Sequence, residues 1–73
     1  MAEGELQRVV GDNLRRYRQG KGWSQEEFAH ELGVHRTYMG SLERGERNLS
    51  LRSVERLAAS LGMEPLELLS ERP

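Results

Sequence analysis

The sequence predicts an all-α fold, a compact bundle of five helices, on three observations. Apolar residues recur at intervals of three and four, as they do along one face of a helix. Serine precedes two of the predicted helices and glycine follows almost every one, so both kinds of helix end are marked. No stretch alternates apolar and polar residues in the manner of a β-strand.

A helix, a tight turn and a second helix are predicted by residues 23–45, WSQEEFAHELGVHRTYMGSLERG. Ser24 and Glu27 have the spacing of a capping box, in which each side chain pairs with a free backbone amide of the other residue. Trp23 and Phe28 flank this cap at the positions of a hydrophobic staple. This segment is the best defined part of the chain.

The second helix of the segment follows the turn glycine, Gly33, and is expected from about Arg36 to Gly45. At about 100° per residue its side chains divide into two faces. The apolar face comprises Val34, Tyr38, Met39 and Leu42. The outer face comprises Thr37, Gly40, Ser41 and Arg44, with Arg36 at its flank. A small, polar and basic helix face suits entry into a groove.

Three further helices complete the predicted bundle. Helix 1 is expected over about 5–19 and helix 4 between the cap Ser50 and Gly62. The glycines expected to end helix 1 are Gly20 and Gly22. The buried face of helix 1 is predicted to comprise Leu6, Val9, Val10, Leu14 and Tyr17. That of helix 4 is predicted to comprise Leu51, Val54, Leu57, Ala58 and Leu61. Pro65 at a first helical position opens a short helix 5.

The length of 73 residues predicts one domain. A chain of this size buries only about 60% of its unfolded surface, and dimerisation is a common remedy for the resulting low stability. The chain has no cysteine, which excludes disulfides and zinc–thiolate sites. No apolar run approaches the ~20 residues that span a membrane, and no signal peptide is visible. A soluble cytoplasmic protein is the expectation.

Charge is distributed unevenly, although the net charge is only −1. Residues 8–56 contain ten basic and seven acidic side chains, net +3, whereas the ends contain one basic and five acidic, net −4. A basic middle could bind phosphate on one face. A salt-bridged helical surface would account for the same charges equally well.

Nothing in the sequence predicts an enzyme or a cofactor. His30 and His35 are five residues apart across a turn, so they do not share a helix face, and no carboxylates cluster near them. Glu26 and Glu27 are adjacent and point in different directions, which is poor geometry for an acid–base pair. Both suit the positive end of a helix dipole instead.

A family resemblance follows from two stretches of the chain, SQEEFAHELGV and RTYMGSLERG. Together they resemble the helix-turn-helix of the Cro/cI-type (XRE) DNA-binding family, whose fold is the lambda-repressor-like DNA-binding domain. The similarity extends from LRRYRQGKGWSQ through LAASLG. Within that family the chain most resembles the controller proteins of restriction–modification systems, on the stretch RTYMGSLERGERNLSLRSVERLA. Those controllers are dimeric autoregulators of about this length.

The resemblance implies site residues, with helix 3 as the recognition helix. The residues that it places at base edges are Arg36, Thr37 and Ser41. Those that it places at the DNA backbone or the minor groove are Ser24, Gln25, Tyr38, Arg44, Arg47 and Asn48. It also implies a structural ion pair between Arg18 and Glu43. Simpler roles stay open for several of them, since exposed arginines are usually just solvated and Tyr38 more often belongs to a core.

Two residues, His35 and Gly40, depart from the family pattern. His35 stands where the family often has a better helix cap, which leaves the start of helix 3 undefined. Gly40 weakens the helix but would let its backbone approach a groove closely.

A dimerisation region is expected at 61–70. Its candidate residues are Met63, Leu66, Leu68 and Leu69, of which Met63 and Leu68 are expected to be exposed.

Together with the residues themselves, the resemblance to controller proteins implies a homodimeric, sequence-specific transcriptional regulator of a restriction–modification system. Its partner would be double-stranded DNA with a palindromic operator, and RNA polymerase is a further candidate partner. The alternative is an antitoxin or another protein-interaction module that uses the same fold. Neither a metal nor a cofactor is expected.

Overall fold

Five α-helices are present in residues 2–71, the part of the chain that the computed structural model describes. They are α1 (Glu5–Lys21), α2 (Gln25–Leu32), α3 (Arg36–Glu43), α4 (Leu51–Leu61) and α5 (Pro65–Leu69). These residues contain no strand, so the all-α prediction is confirmed. Helix α1 packs against α3 and α5, α2 against α3, and α4 against α5. Every helix thus contributes to one apolar cluster.

The core draws side chains from all five helices. Its buried members are Val10, Leu14, Phe28, Ala29, Met39, Leu42, Val54, Leu57, Ala58 and Leu68. Tyr17 and Phe28 stack with ring centroids 5.8 Å apart, and Trp23 closes over Phe28 at 5.9 Å. The predicted staple between Trp23 and Phe28 is therefore present. It packs the first turn of α2 against Tyr17 in the C-terminal part of α1.

The predicted capping box at the start of α2 is also present. Ser24 Oγ accepts from the Glu27 amide at 3.1 Å, and Glu27 Oε1 accepts from the Ser24 amide at 2.8 Å. The hydrogen bond from the Ser24 amide lowers the pKa of the Glu27 carboxyl. This cap therefore stabilises the fold at neutral pH, and its contribution is lost as the pH falls through that lowered pKa.

Two helix ends lie two residues from their predicted positions. Helix α1 continues through Gly20 to Lys21 and ends at Gly22, whose amide and that of Trp23 bond back to the last turn. Helix α3 ends at Glu43 rather than at Gly45.

The start of α3 is undefined in the sequence because histidine is a poor cap. In the structure His35 Nδ1 accepts a hydrogen bond from the Thr37 amide at 3.2 Å. His35 is therefore the N-cap of α3.

The prediction for the leucines of α5 is wrong. Leu68 has an exposed fraction of 0% and is a core residue, whereas Leu66 is 74% exposed. Residues two apart on a helix face opposite sides, so only one of the two can point inward. Asn13 of α1 decides which, because its Nδ2 donates to the Leu68 carbonyl at 2.8 Å and to the Ser70 carbonyl at 2.9 Å. This clamp turns Leu68 towards α1.

Two further leucines are more exposed than predicted. Leu51 is 79% exposed at the first position of α4, and Leu6 is 43% exposed in the first turn of α1. Periodicity alone predicts that both are buried. Leu51 is the first residue of α4 and Leu6 the second residue of α1, so neither has a preceding turn of its own helix beside it. Met63 and Leu69 are half-buried against the core.

Helices α1 and α3 approach each other closely, and this approach depends on Gly11. A Cβ atom built on Gly11 would lie 2.6 Å from the carbonyl oxygens of both Leu42 and Glu43. Those oxygens belong to backbone at the end of α3 and cannot swing aside. The glycine therefore sets the distance between the two helices, a role that its low helix propensity does not reveal.

We predict that Gly11→Ala lowers the free energy of unfolding by about 1–3 kcal/mol, because the methyl group forces α1 and α3 apart. The matched control is Gly20→Ala in the same helix, where a Cβ meets nothing within 4 Å. That change should raise stability by up to about 1 kcal/mol through helix propensity. Urea denaturation of both variants measures the two effects. Equal stabilisation by both changes would contradict the close approach.

Candidate nucleic-acid interface

The first turn of α3 presents two polar side chains to solvent. Arg36 and Thr37 are exposed, and neither side chain donates or accepts a hydrogen bond within the described residues. The His35 cap uses only the Thr37 backbone amide. Both side chains are therefore available to a ligand, and the cap fixes the direction from which they project.

A polar notch of about 190 Å³ lies beside this turn and brings together residues from two helices. Its lining consists of Gln25, Arg36, Thr37, Gly40 and Arg44. The structure therefore gathers predicted base-reading residues and predicted backbone-contacting residues at one place. Two guanidinium groups and an amide side chain around a small concavity form a suitable environment for acceptor atoms of nucleic acid.

The outer face of α3 differs from its prediction at two positions, because Gly40 and Ser41 are buried. Side chains cover Gly40, since a Cβ there would lie 3.1 Å from Arg44 Nη1 and 3.6 Å from Gln25 Oε1. Ser41 is only 7% exposed. A helix wheel assigns faces by angle and takes no account of long neighbours that fold across a small residue.

The hydroxyl group of Ser41 makes two hydrogen bonds within the protein. Its Oγ donates to the Tyr38 carbonyl at 2.7 Å and accepts from Arg47 Nε at 2.8 Å. The Arg47 guanidinium carbon also lies 4.9 Å from the centre of the Tyr38 ring. These contacts fix the loop after α3 against the helix, and no pattern in the sequence predicts them.

The remaining predicted backbone-contacting residues lie nearby in looser environments. Arg44 forms an exposed ion pair with Glu46, at 3.0 Å, which is weak enough to exchange for another anion. Asn48 Oδ1 accepts from Gln7 Nε2 of α1 at 3.3 Å. Gln7 thereby steadies the loop, and no sequence pattern singles it out. Ser24 is exposed at the start of α2.

The predicted ion pair between Arg18 and Glu43 is present and largely buried. Arg18 Nε and Nη2 bind the two carboxylate oxygens of Glu43 at 2.7 and 3.1 Å. The side chains are 15% and 2% exposed, respectively. Gln25 Nε2 adds a third bond to Glu43 at 3.1 Å, and Arg18 Nη1 donates to the Trp23 carbonyl at 3.0 Å. One carboxylate thus joins α1, α2 and α3.

Gln25 therefore has a role that the sequence does not reveal. The family resemblance implies that it contacts the DNA backbone. In the structure its amide nitrogen is bound to Glu43, and its carbonyl oxygen lies at the notch beside Gly40. The end of α3 and the start of α2 consequently share one hydrogen-bond network.

We predict that Glu43→Ala lowers the free energy of unfolding by about 3–5 kcal/mol, because it leaves Arg18 partly buried without its counter-charge. Asp12→Ala is the matched control, since it breaks the Arg15–Asp12 pair, whose side chains are 47% and 52% exposed. That control should change stability by less than about 0.5 kcal/mol. Thermal unfolding followed by circular dichroism compares them. Similar melting temperatures for the two variants would contradict a structural role for the buried pair.

Two other kinds of site are absent from the described part of the chain. Its histidine and acidic residues form no group of three or more that could hold a metal ion. None of its helices is both long and apolar enough to cross a lipid bilayer.

Comparison with known proteins relates this site to a family. The sequence pattern of the helix-turn-helix family HTH_3 matches residues 14–68. A hypothetical transcription factor of Neisseria meningitidis is 43% identical over 67 residues, which cover 92% of this chain and 63% of that protein. The chain thus spans less than two thirds of the length of that relative.

Two controller proteins are also similar. The control protein C.BamHI of Bacillus amyloliquefaciens is 42% identical over 84% of this chain and 76% of its own length. The crystal structure of the restriction–modification controller C.AhdI of Aeromonas hydrophila superposes with a TM-score of 0.70. It is 45% identical, over 85% of this chain and 94% of the other. With its capped turn and its α3 site, the chain belongs to the XRE-type helix-turn-helix family of DNA-binding transcriptional regulators.

Proposed function

We propose that the chain is a homodimeric autoregulator that binds a palindromic operator and controls a restriction–modification system. The observation that supports DNA reading is the placement of Arg36 and Thr37, both exposed and without internal partners among the described residues, beside the polar notch. Similarity to C.BamHI and C.AhdI supports the restriction–modification role. An endonuclease gene and a methyltransferase gene adjacent to this one would test that role directly.

In the proposed complex α3 lies in the major groove and the start of α2 faces the phosphates. Arg36 is suited to a bidentate pair with guanine O6 and N7, and Thr37 to a hydroxyl or methyl contact with a neighbouring base. Ser24 and the first amides of α2 suit a phosphate, since a helix N-terminus attracts anions. Arg44 can exchange its exposed Glu46 partner for the DNA backbone.

We predict that Arg36→Ala weakens binding to the operator by about 1–3 kcal/mol, because it removes a base contact, and that it relaxes the base preference at one base pair. The same change should weaken binding to a random duplex far less. Arg15→Ala removes an equal charge from the exposed surface of α1 and is the control. Fluorescence anisotropy titration, after selection of the operator from random duplexes, measures all three proteins. Equal losses on operator and random DNA would contradict base reading.

The proposed dimer uses α5, with Leu66 in place of Leu68 as its central residue. Leu66 is 74% exposed, and the half-buried Met63 and Leu69 belong to the same segment. Large apolar side chains exposed on a small domain favour an interface. A twofold axis would bury this patch against itself and place two copies of α3 about 34 Å apart, one turn of DNA.

We predict that Leu66→Glu gives a folded monomer that binds a palindrome weakly, because a carboxylate at the centre of the interface would lose its solvation. Leu51→Glu is the matched control, since Leu51 is 79% exposed at the start of α4. It should remain dimeric. Analytical ultracentrifugation at tens of micromolar decides between them. A monomeric wild-type protein that binds a palindrome tightly would contradict the interface and the symmetry together.

The Leu68→Glu variant separates the core from the interface. Leu68 has an exposed fraction of 0%, so a carboxylate there would be buried and the chain should unfold rather than dissociate.

The alternative function is an antitoxin or adaptor role. Stoichiometric binding of the wild-type chain to a second protein, with no binding to any duplex, would replace the proposed function with this one.

A further inference from the structure

The guanidinium of Arg47 is held from two directions before any ligand arrives. Its Nε donates to Ser41 Oγ at 2.8 Å, and its central carbon lies 4.9 Å from the centre of the Tyr38 ring. Ser41 is itself fixed, because its hydroxyl donates to the Tyr38 carbonyl at 2.7 Å. An otherwise exposed arginine in a loop is thereby attached to α3.

The two contacts leave a defined part of the guanidinium free. Neither Nη group of Arg47 has a hydrogen-bond acceptor among the described residues. Nε is bonded to Ser41 and one face of the guanidinium plane lies on the Tyr38 ring, so the donors that remain are the two amino groups, which form a flat fork. Such a fork matches the paired oxygens of a phosphodiester.

We propose that Ser41 is a positioning residue that aims the Arg47 fork at a phosphodiester of the DNA backbone; this inference rests on the proposed function. The serine does so by holding Nε while leaving both amino groups to the phosphate. Its 7% exposure and its two internal hydrogen bonds keep it from base edges. Ser41 therefore acts through Arg47, which corrects its assignment as a base-reading residue.

The physical benefit is preorganisation. A free arginine loses much of its rotamer freedom when it binds, and that loss weakens binding. Arg47 has already lost much of this freedom in the folded protein. The backbone of the loop is fixed by the hydrogen bond from the Glu46 amide to the Ser41 carbonyl at 3.0 Å and by Leu49, which packs against the core, but neither contact restrains the Arg47 side chain. The Ser41 hydroxyl is thus the principal internal anchor of this charge.

The first experiment needs no DNA. Relaxation of the Arg47 ¹⁵Nε signal should show an ordered side chain in the wild-type protein and a disordered one in Ser41→Ala. Alanine is a good helix former, so this variant should stay folded. Ser60→Ala is the matched control, because the Ser60 hydroxyl donates to the Arg56 carbonyl at 3.0 Å and to no arginine side chain. Equal mobility of Arg47 Nε in the wild-type and Ser41→Ala proteins would overturn the proposal.

The second experiment is a double-mutant cycle for binding to a random duplex. Ser41→Ala should weaken binding about two- to tenfold, the usual effect of one lost hydrogen bond. It should have no effect once Arg47 is alanine, and Arg47→Ala should reduce the slope of log K against log salt by about one. Arg47→Lys keeps the charge but lacks the guanidinium Nε, so the duplex binding of this variant should not change when Ser41 is replaced by alanine.

The outcomes separate this inference from the proposed function. Additive effects of Ser41→Ala and Arg47→Ala would overturn positioning while leaving DNA binding intact. An unchanged salt slope in Arg47→Ala would overturn the phosphate as its ligand. A wild-type protein that binds no duplex at all would overturn the proposed function itself, and the assignment of a phosphodiester with it.

Discussion

The buried carboxylate of Glu43 is the interaction on which the rest of the structure depends. It receives three hydrogen bonds, two from Arg18 of α1 and one from Gln25 of α2, and it lies at the end of α3. A buried charge is tolerated only when its partners are in place, so the network is satisfied in one arrangement of the three helices. Gly11 sharpens that arrangement because it lets α1 touch the end of α3. The orientation of α3 follows from these two contacts.

The site built on that helix contains arginines in three different states. Within the described residues Arg36 has no internal partner, Arg44 has an exposed one, and Arg47 is held by Ser41 and Tyr38. An unpartnered arginine can adapt to a base edge, whereas a held one suits a phosphate, whose position is the same in every sequence. The degree of internal restraint thus parallels the proposed division between reading and positioning.

The far end of the molecule is coupled to this arrangement through α1. Asn13 lies two residues from Gly11 and donates its amide hydrogens to the carbonyls of Leu68 in α5 and of Ser70, the residue that follows this helix. A five-residue helix is too short to be stable alone, so its orientation depends on such contacts. The clamp buries Leu68 and leaves Leu66 exposed. One helix therefore positions both the proposed recognition helix and the proposed dimer surface.

The sequence by itself determined the five helices, the Ser24 cap, the Trp23–Phe28 staple and the Arg18–Glu43 pair, since these follow from local spacing and from family resemblance. It did not determine the exposure of Leu66 and Leu68 or the internal role of Ser41. Periodicity identifies the faces of a helix, but only packing decides which face is covered. Hydrogen bonds between residues far apart, such as Asn13 to α5, exist only after the helices have docked. The tertiary structure therefore decided which surfaces remain available for binding.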